Sequence, residues 1–126
     1  AILGFAFKAN TNDTRESPSI AISKKLLKEG SQLNFYDPKV NKEEILKEFQ
    51  ENEYEKNLNV CETALGAAKG TDAVIILTEW EEFHNLDWHL IFQVMRKPAW
   101  VFDSRSYLNI DYLKNIGFKV WTLGQS

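Results

Sequence analysis

The apolar run at residues 73–77, Ala-Val-Ile-Ile-Leu, restricts the possible fold more than any other segment of this chain. A strand without polar positions has to be covered on both faces, which is typical of a central strand in a parallel sheet. Shorter β-prone runs occur before and after it, and stretches with helical periodicity separate them. This alternation predicts a doubly wound, mostly parallel, Rossmann-like α/β sheet of five or six strands, with helices on both faces.

The predicted elements follow this alternation through the whole chain. Strands are expected at residues 2–7, 32–36, 58–60, 73–77, 99–102 and 118–121, with 58–60 at an edge of the sheet. Helices are expected from Ser17-Pro18 to a stop at Gly30, and at 42–50, 62–68, 86–95 and 110–115. Residues 51–57 lack apolar periodicity, so we expect an exposed connection there. The 126 residues are predicted to form a single domain, and the immediate start of the first strand suggests a fragment of a longer polypeptide.

Composition excludes several partners. The formal net charge is −3, whereas binding to nucleic acid usually needs a concentrated basic face. No apolar run approaches the roughly 20 residues that a membrane-spanning helix requires, and no signal peptide is visible. The single cysteine excludes an internal disulfide and suits a reducing compartment. The cytoplasm is therefore the predicted location.

Three polar segments follow predicted strands, at residues 8–17, 78–80 and 103–105. Ligands of doubly wound sheets bind beyond the carboxyl ends of the strands, where the strand order reverses. Segment 8–17 contains Lys8 and Arg15 and leads into a helix N-terminus, a combination that can hold a phosphate group. It lacks the glycines of G-x-G-x-x-G and of G-x-x-x-x-G-K-[ST], so dinucleotide binding of the usual Rossmann kind is not expected.

The residue types alone leave the roles of these cations open. Lys8 either binds an anion or is a solvated lysine at a strand end. Arg15 lies between two acidic residues, so a surface ion pair is its ordinary explanation. Arg105 follows an Asp and a Ser that suit a turn, and it either grips a phosphate or closes that turn.

Other reactive side chains give weaker indications. Cys61 precedes an acidic residue, which disfavours a thiolate, so a structural role is expected. His84 and His89 have no cysteines or paired carboxylates at ligand spacing, so no metal site is expected, and His84 is predicted to lie in a loop. The glutamates of segment 79–82 are interpreted as a solvated acidic turn, with Trp80 and Phe83 packed beneath it.

The first of these segments belongs to a recognisable pattern, Gly4-Phe5-Ala6-Phe7-Lys8-x-x-Thr11-x-Asp13-Thr14-Arg15-Glu16-Ser17. This pattern resembles the opening of the C-terminal domain in the UDP-glucose 6-dehydrogenase family. Further matches follow in the same order over nearly the whole chain, at residues 36–40, 78–83, 97–99, 102–105 and 116–118. The segment from 41 to 60 resembles the family only loosely.

The resemblance implies an activity that needs more than this chain. Enzymes of this family oxidise UDP-glucose to UDP-glucuronate with two NAD⁺. Their NAD binds to an N-terminal Rossmann domain, a central helix forms the dimer, and a catalytic cysteine carries the covalent intermediates. None of these parts is recognisable here, and Cys61 lies in the wrong segment to be that cysteine. The resemblance therefore implies a UDP-binding domain that is inactive alone, from an enzyme that forms a homo-oligomer.

The same resemblance implies roles for four residues. Phe7 and Lys8 are similar to the pair that contacts the UDP-sugar, and Arg105 is similar to an arginine that also contacts it. Arg15 resembles an arginine that reaches NAD. Ser106 stands where some relatives have a second arginine. Two alternatives stay open: the equivalent domain of a GDP-mannose or UDP-N-acetylhexosamine dehydrogenase, and a non-catalytic doubly wound binding module.

Overall fold

Six parallel strands form one sheet in the computed structural model, which describes residues 1–6, 18–50 and 55–123. The strands are β1 (Ile2–Leu3), β2 (Leu33–Tyr36), β3 (Leu58–Val60), β4 (Ala73–Ile76), β5 (Trp100–Asp103) and β6 (Lys119–Thr122). Their order across the sheet is β3-β2-β1-β4-β5-β6, and every neighbouring pair is parallel. The predicted doubly wound α/β class is confirmed, with six strands and with β3 at an edge.

In the described part of the chain, six α-helices connect the strands: α1 (Pro18–Lys28), α2 (Lys42–Lys47), α3 (Ala64–Ala68), α4 (Glu81–His84), α5 (Trp88–Val94) and α6 (Ile110–Ile116). The side-chain oxygens of Asn41, Thr63, Asp87 and Asn109 cap α2, α3, α5 and α6 by accepting backbone N–H groups. A short 3₁₀ helix, Glu55–Asn57, occupies part of the predicted connection. Within the described ranges, no helix is long and apolar enough to cross a membrane.

Helix α4 corrects the predicted acidic turn. His84, expected in a loop, is the last residue of this helix. The N–H of Phe83 donates to the carbonyl of Trp80, and both side chains are buried, as predicted. Because these two rings are three residues apart and pack into the same core, the backbone between them forms a helical turn.

Strand β1 is shorter than the predicted 2–7. It ends at Leu3, because Gly4 has a φ of +98°, which turns the chain away from the strand direction. The N–H groups of Phe5 and Ala6 then donate to the side chain of Asp37, at 2.7 and 3.0 Å, instead of continuing a ladder. The remainder of the predicted strand, Phe7, lies outside the described residues.

The strand order reverses between β1 and β4. Right-handed crossovers put α1 and α2 on one face of the sheet and α3, α5 and α6 on the other. In agreement with this, α5 contacts both α3 and α6. The carboxyl ends of β1, β2, β4 and β5 all lie on the same side of the molecule. A doubly wound sheet binds its ligands beyond these strand ends.

The core is apolar on both faces of the sheet, but α1 and β4 depart from expectation. The inner face of α1 contains Ser19 and Ser23 beside Leu27, whereas Ile22 is 36% exposed. Ser19 fits there because its hydroxyl donates to the carbonyl of Gly4, at 2.9 Å. In β4, alternate residues are only half-buried, among them Ile75, so the strand is covered fully on one face alone.

Candidate functional site

Side chains join three strand ends beside the place where the strand order reverses between β1 and β4, which we call the switch point. The hydroxyl of Ser104, which follows β5, donates to the carbonyl of Ile76 in β4 at 2.7 Å. Arg105 Nε donates to the carbonyl of Leu77 at 3.0 Å. The hydroxyl of Thr78 then donates to the carbonyl of Ala6, after β1, at 2.8 Å. Ala6 and the segments at 78–80 and 103–105 therefore converge, as expected from the parallel sheet, whereas segment 8–17 lies outside the described residues.

Arg105 is held at both its backbone and its side chain. Its N–H donates to Asp103 Oδ1 at 3.1 Å, which closes the turn after β5, and its Nε is held by the carbonyl of Leu77. Among the described residues, neither Nη atom has a hydrogen-bonding partner. Arg105 thus closes a turn and also presents two guanidinium nitrogens, the geometry with which arginine binds phosphate or carboxylate oxygens.

Phe7, Lys8 and Arg15 lie outside the described residues. The structure describes the residues that lead into and out of their segment, Ala6 and Pro18. Ala6 is buried and its carbonyl is bound by Thr78, next to the residue whose carbonyl holds Arg105. The roles of these three residues stay predictions.

Asp37 is a buried carboxylate that sequence reasoning missed. It follows β2 and accepts five N–H groups, from the backbone of Phe5, Ala6, Lys39 and Val40 and from the indole of Trp80. In dinucleotide-binding folds the acid at this position binds a ribose. Here the carboxylate is directed inward and only 7% exposed, so the described residues do not fit a dinucleotide at this switch point.

Asp103 has a similar role beside Arg105. Its side chain is fully buried and accepts the N–H groups of Arg105, Tyr107 and Leu108 at 3.1, 2.7 and 2.7 Å. An Asp followed by turn-forming residues after a strand indicates this local pattern, in which the side chain binds N–H groups two residues and more ahead. The same indication was present at Asp37-Pro38.

A polar cleft of about 530 Å³ lies beside these strand ends, lined by Glu79, Glu81, His84, Asn85 and Tyr107. The ring of His84 meets the ring of Tyr107 edge-on at 4.3 Å. Burial, followed by the charges of Glu81 and Glu79, raises the pKa of the Tyr107 phenol. Because two carboxylates line this cleft, its charge disfavours an anionic ligand.

Tyr36 hydrogen-bonds to Glu82 at the same edge, with 2.5 Å between the phenol oxygen and Glu82 Oε2. Burial, followed by this hydrogen bond and the charges of Glu82 and Asp37, raises the pKa of the phenol well above its usual range. Because the folded state then retains a proton that the unfolded state loses, we expect stability to fall as pH rises above about 10.

Ultraviolet titration of the tyrosines, combined with unfolding at each pH, checks this expectation. Glu82→Gln is expected to bring the alkaline transition of Tyr36 back towards the usual value, since the substitution removes the nearby charge. An unchanged transition in Glu82→Gln would contradict the contribution of Glu82 to the raised pKa and leave burial as its cause.

The remaining reactive groups that the structure describes are Cys61 and the possible metal ligands. Cys61 is half-buried, and burial raises the pKa of its thiol, which disfavours a nucleophilic thiolate. Within residues 1–6, 18–50 and 55–123, no three His, Cys, Asp or Glu side chains are grouped so that they could hold a metal ion.

Comparisons with known proteins agree with these features. Residues 1–110 match the UDP-glucose/GDP-mannose dehydrogenase family, UDP binding domain. UDP-glucose 6-dehydrogenase 4 of Arabidopsis thaliana is 40% identical over 140 residues, and the enzymes of Drosophila melanogaster and Gallus gallus are 42% and 43% identical over 132 and 133 residues. Each match covers 99% of this chain but only 27–29% of the relative. The chain therefore spans less than a third of these proteins.

Solved structures of related enzymes share the fold. UDP-D-ManNAc dehydrogenase from Pyrococcus horikoshii superposes with a TM-score of 0.73 at 23% identity, over 98% of this chain and 24% of that one. An NDP-N-acetyl-D-galactosaminuronic acid dehydrogenase from Methanosarcina mazei gives 0.75 at 20% identity, over 100% of this chain and 24% of that one. The switch-point geometry, the match over residues 1–110 and relatives that are about 40% identical lead to one assignment: the chain belongs to the UDP-glucose/GDP-mannose dehydrogenase family, in its UDP binding domain.

Proposed function

We propose that this chain is a single domain, residues 1–126, that binds the UDP-sugar in a UDP-glucose 6-dehydrogenase-like enzyme. The observation that carries the proposal is the position of Arg105, which is held at the switch point with two guanidinium nitrogens available among the described residues. The diphosphate of a nucleotide sugar offers oxygen pairs that match a guanidinium fork. The UDP-glucose 6-dehydrogenases that are about 40% identical favour UDP as the nucleotide.

The other site residues are assigned by the family pattern. Lys8 supplies a second positive charge to the UDP-sugar, and Phe7 forms part of the pocket wall. Arg15 contacts NAD across the cleft between domains. Because the inward-facing Asp37 does not suit a dinucleotide, and because Gly4 is the single glycine in residues 1–17, we assign most of the NAD site to segments outside this chain.

The whole protein is proposed to oxidise UDP-glucose to UDP-glucuronate with two NAD⁺, which supply the hydride acceptor. This chain contributes binding and orientation of the nucleotide, and the nucleophilic cysteine lies elsewhere, so the chain alone is expected to be inactive. The relatives are more than three times as long as this chain, which leaves room for the other domains. We further propose that the full-length enzyme is a cytoplasmic homo-oligomer.

An equivalent domain of a dehydrogenase for UDP-N-acetylhexosamine or GDP-mannose is the alternative. Dehydrogenases named for N-acetyl sugars share this fold at TM-scores of 0.73 and 0.75, so the fold does not distinguish the sugars. Titration with UDP, GDP and NAD⁺ separates the nucleotides. A response to UDP alone favours a UDP-sugar, either UDP-glucose or a UDP-N-acetylhexosamine, and a response to GDP favours the GDP-mannose alternative. A response to neither leaves two readings, a site that is complete only in the full-length enzyme or a non-catalytic binding module, and the same titration of the full-length protein separates them.

Arg105→Ala is expected to weaken UDP binding roughly ten- to a hundredfold, because it removes a charge-assisted hydrogen-bonding group worth about 1.5–3 kcal/mol. Arg105→Lys is expected to recover only part of this affinity, since an ammonium keeps the charge but lacks the fork. Isothermal titration calorimetry or NMR titration of the chain with UDP measures both effects.

Arg96→Ala is the matched control. Arg96 forms an exposed ion pair with Asp72, at 3.4 Å. It lies before the amino-terminal end of β5, whereas Arg105 follows the carboxyl end of the same strand. Loss of Arg96 is expected to leave UDP affinity unchanged. Equal losses of UDP affinity in Arg96→Ala and Arg105→Ala would mean that only the net charge of the chain matters. Unchanged UDP affinity in Arg105→Ala would show that Arg105 does not bind the nucleotide.

A further inference from the structure

We propose that Asp37 is a positioning residue of the nucleotide-sugar site, because its carboxylate fixes the direction in which the chain leaves β1 towards Phe7 and Lys8. The inference rests on the proposed function for the ligand, but its structural part can be tested without any ligand. Asp37 is not itself proposed to touch the nucleotide.

The geometry of the carboxylate supports this role. Oδ2 accepts from the N–H groups of Phe5 and Ala6, at 2.7 and 3.0 Å, and from Trp80 Nε1 at 3.1 Å. Oδ1 accepts from the N–H groups of Lys39 and Val40, at 2.8 and 3.1 Å. One side chain thus binds the two residues that follow β1, the turn after β2 and an aromatic ring after β4.

The same backbone is held from two further sides. The carbonyl of Gly4 accepts from the hydroxyl of Ser19 in α1, and the carbonyl of Ala6 accepts from the hydroxyl of Thr78. Of these contacts, only those of Asp37 bind two successive N–H groups. Two successive N–H groups on one oxygen fix the orientation of the peptide planes before Phe5 and before Ala6. The Asp37 carboxylate therefore sets the direction in which the chain reaches Ala6, and Thr78 holds the peptide plane that leaves it.

A carboxylate is needed for this arrangement, since all five partners are N–H donors. An asparagine has one acceptor oxygen and one NH₂ group. If the oxygen faces Phe5 and Ala6, the NH₂ group faces the two donors of the turn after β2, and in the other orientation it faces the three donors at Oδ2. Asp37→Asn therefore keeps the size of the side chain and loses part of the network in either orientation.

The experiment compares Asp37→Asn with Leu113→Ala in the 126-residue chain. Leu113 is buried in α6, outside the site, and serves as a control for loss of stability alone. In ¹⁵N–¹H NMR spectra without ligand, the amide signals of Phe5 to Lys8 are expected to shift in Asp37→Asn and to stay in Leu113→Ala. If Asp37→Asn does not fold, Trp80→Phe, which removes one donor, is expected to give smaller shifts at the same positions.

UDP titration then tests whether this positioning reaches the ligand. Asp37→Asn is expected to weaken UDP binding at least tenfold, with no loss in Leu113→Ala. In the double variant with Lys8→Ala, Asp37→Asn is expected to reduce UDP affinity by a much smaller factor than it does alone. The reason is that a residue that acts through Lys8 has no effect once Lys8 is gone.

Each remaining outcome has a distinct meaning. Unshifted signals of Phe7 and Lys8 in Asp37→Asn, or losses that multiply fully in the double variant, would overturn the positioning role. If those signals shift but the unaltered chain does not bind UDP, Asp37 still orients the segment and the failure lies with the proposed function.

Discussion

Gly4→Ala is expected to lower the free energy of unfolding by about 3 kcal/mol, the sum of a strained φ (~1–2 kcal/mol) and overpacking (~1–3 kcal/mol). A Cβ at this position would lie 2.6 Å from both Cβ and Oγ1 of Thr78 and 2.7 Å from its backbone nitrogen. Thr78 follows Leu77, whose N–H donates to the carbonyl of Leu3, so the backbone at Thr78 cannot give way without disturbing this bond between the two strand ends. The φ of +98° adds strain for any residue with a side chain. Urea unfolding followed by circular dichroism measures the loss.

Gly30→Ala is the matched control, since Gly30 has a φ of +95° and nothing within 4 Å of its added Cβ. Gly30→Ala is therefore expected to lower the free energy of unfolding only through the strained φ, by about 1–2 kcal/mol. Gly4→Ala is therefore expected to be clearly the more destabilising of the two. Equal losses would mean that the contact between β1 and Thr78 yields easily, and that the switch point is less rigid than its packing indicates.

Asp103→Ala is expected to lower the free energy of unfolding by about 3 kcal/mol and also to weaken UDP binding. The substitution leaves three N–H groups without an acceptor, and an unpaired buried group costs about 1–3 kcal/mol. The N–H of Leu108 is buried, whereas those of Arg105 and Tyr107 are partly accessible to water, which offsets part of their cost. The turn that holds Arg105 loses its fixed geometry at the same time.

The control for this variant is Asp87→Ala. Asp87 is also an acidic residue that accepts a backbone N–H, that of Leu90, but it is exposed at the start of α5. Its loss is expected to cost about 1 kcal/mol and to leave UDP affinity unchanged. If Asp103→Ala lowers the free energy of unfolding by a similarly small amount, water replaces the carboxylate as the acceptor. If its UDP affinity is unchanged, the turn after β5 does not contribute to nucleotide binding.

Most of the fold could be predicted from the sequence because it depends on local patterns. The apolar run at 73–77 predicted β4, and apolar residues at helical spacing predicted the helices that Asn41 and Asn109 cap in the structure. The lengths of elements were harder to predict. Gly4 ends β1 early, and the side chain that then binds the backbone of Phe5 and Ala6 is Asp37, which is 32 and 31 residues away along the chain. No local pattern contains that contact.

The site was predictable in its location but not in its internal support. Residues that follow parallel strands must share one edge, which is enough to bring Arg105 to the ends of β4 and β1. The support given by Asp37 and Asp103 was missed, because an Asp after a strand indicates a local turn and not the number of donors it binds. Ser19 was missed for a similar reason, since a serine on the inner face of a helix has no apolar periodicity.

The switch point also has a consequence for how the chain folds. Strands β1 to β3 are neighbours in the sequence and in the sheet, and so are β4 to β6. The pairing of the two-residue strand β1 with β4, together with α3, joins these groups, and the contact between Thr78 and Ala6 spans 72 residues. Such distant contacts slow folding. A nucleotide bound at this seam would hold both groups together, and at 100 times its Kd it would add about 2.7 kcal/mol to the stability of the whole.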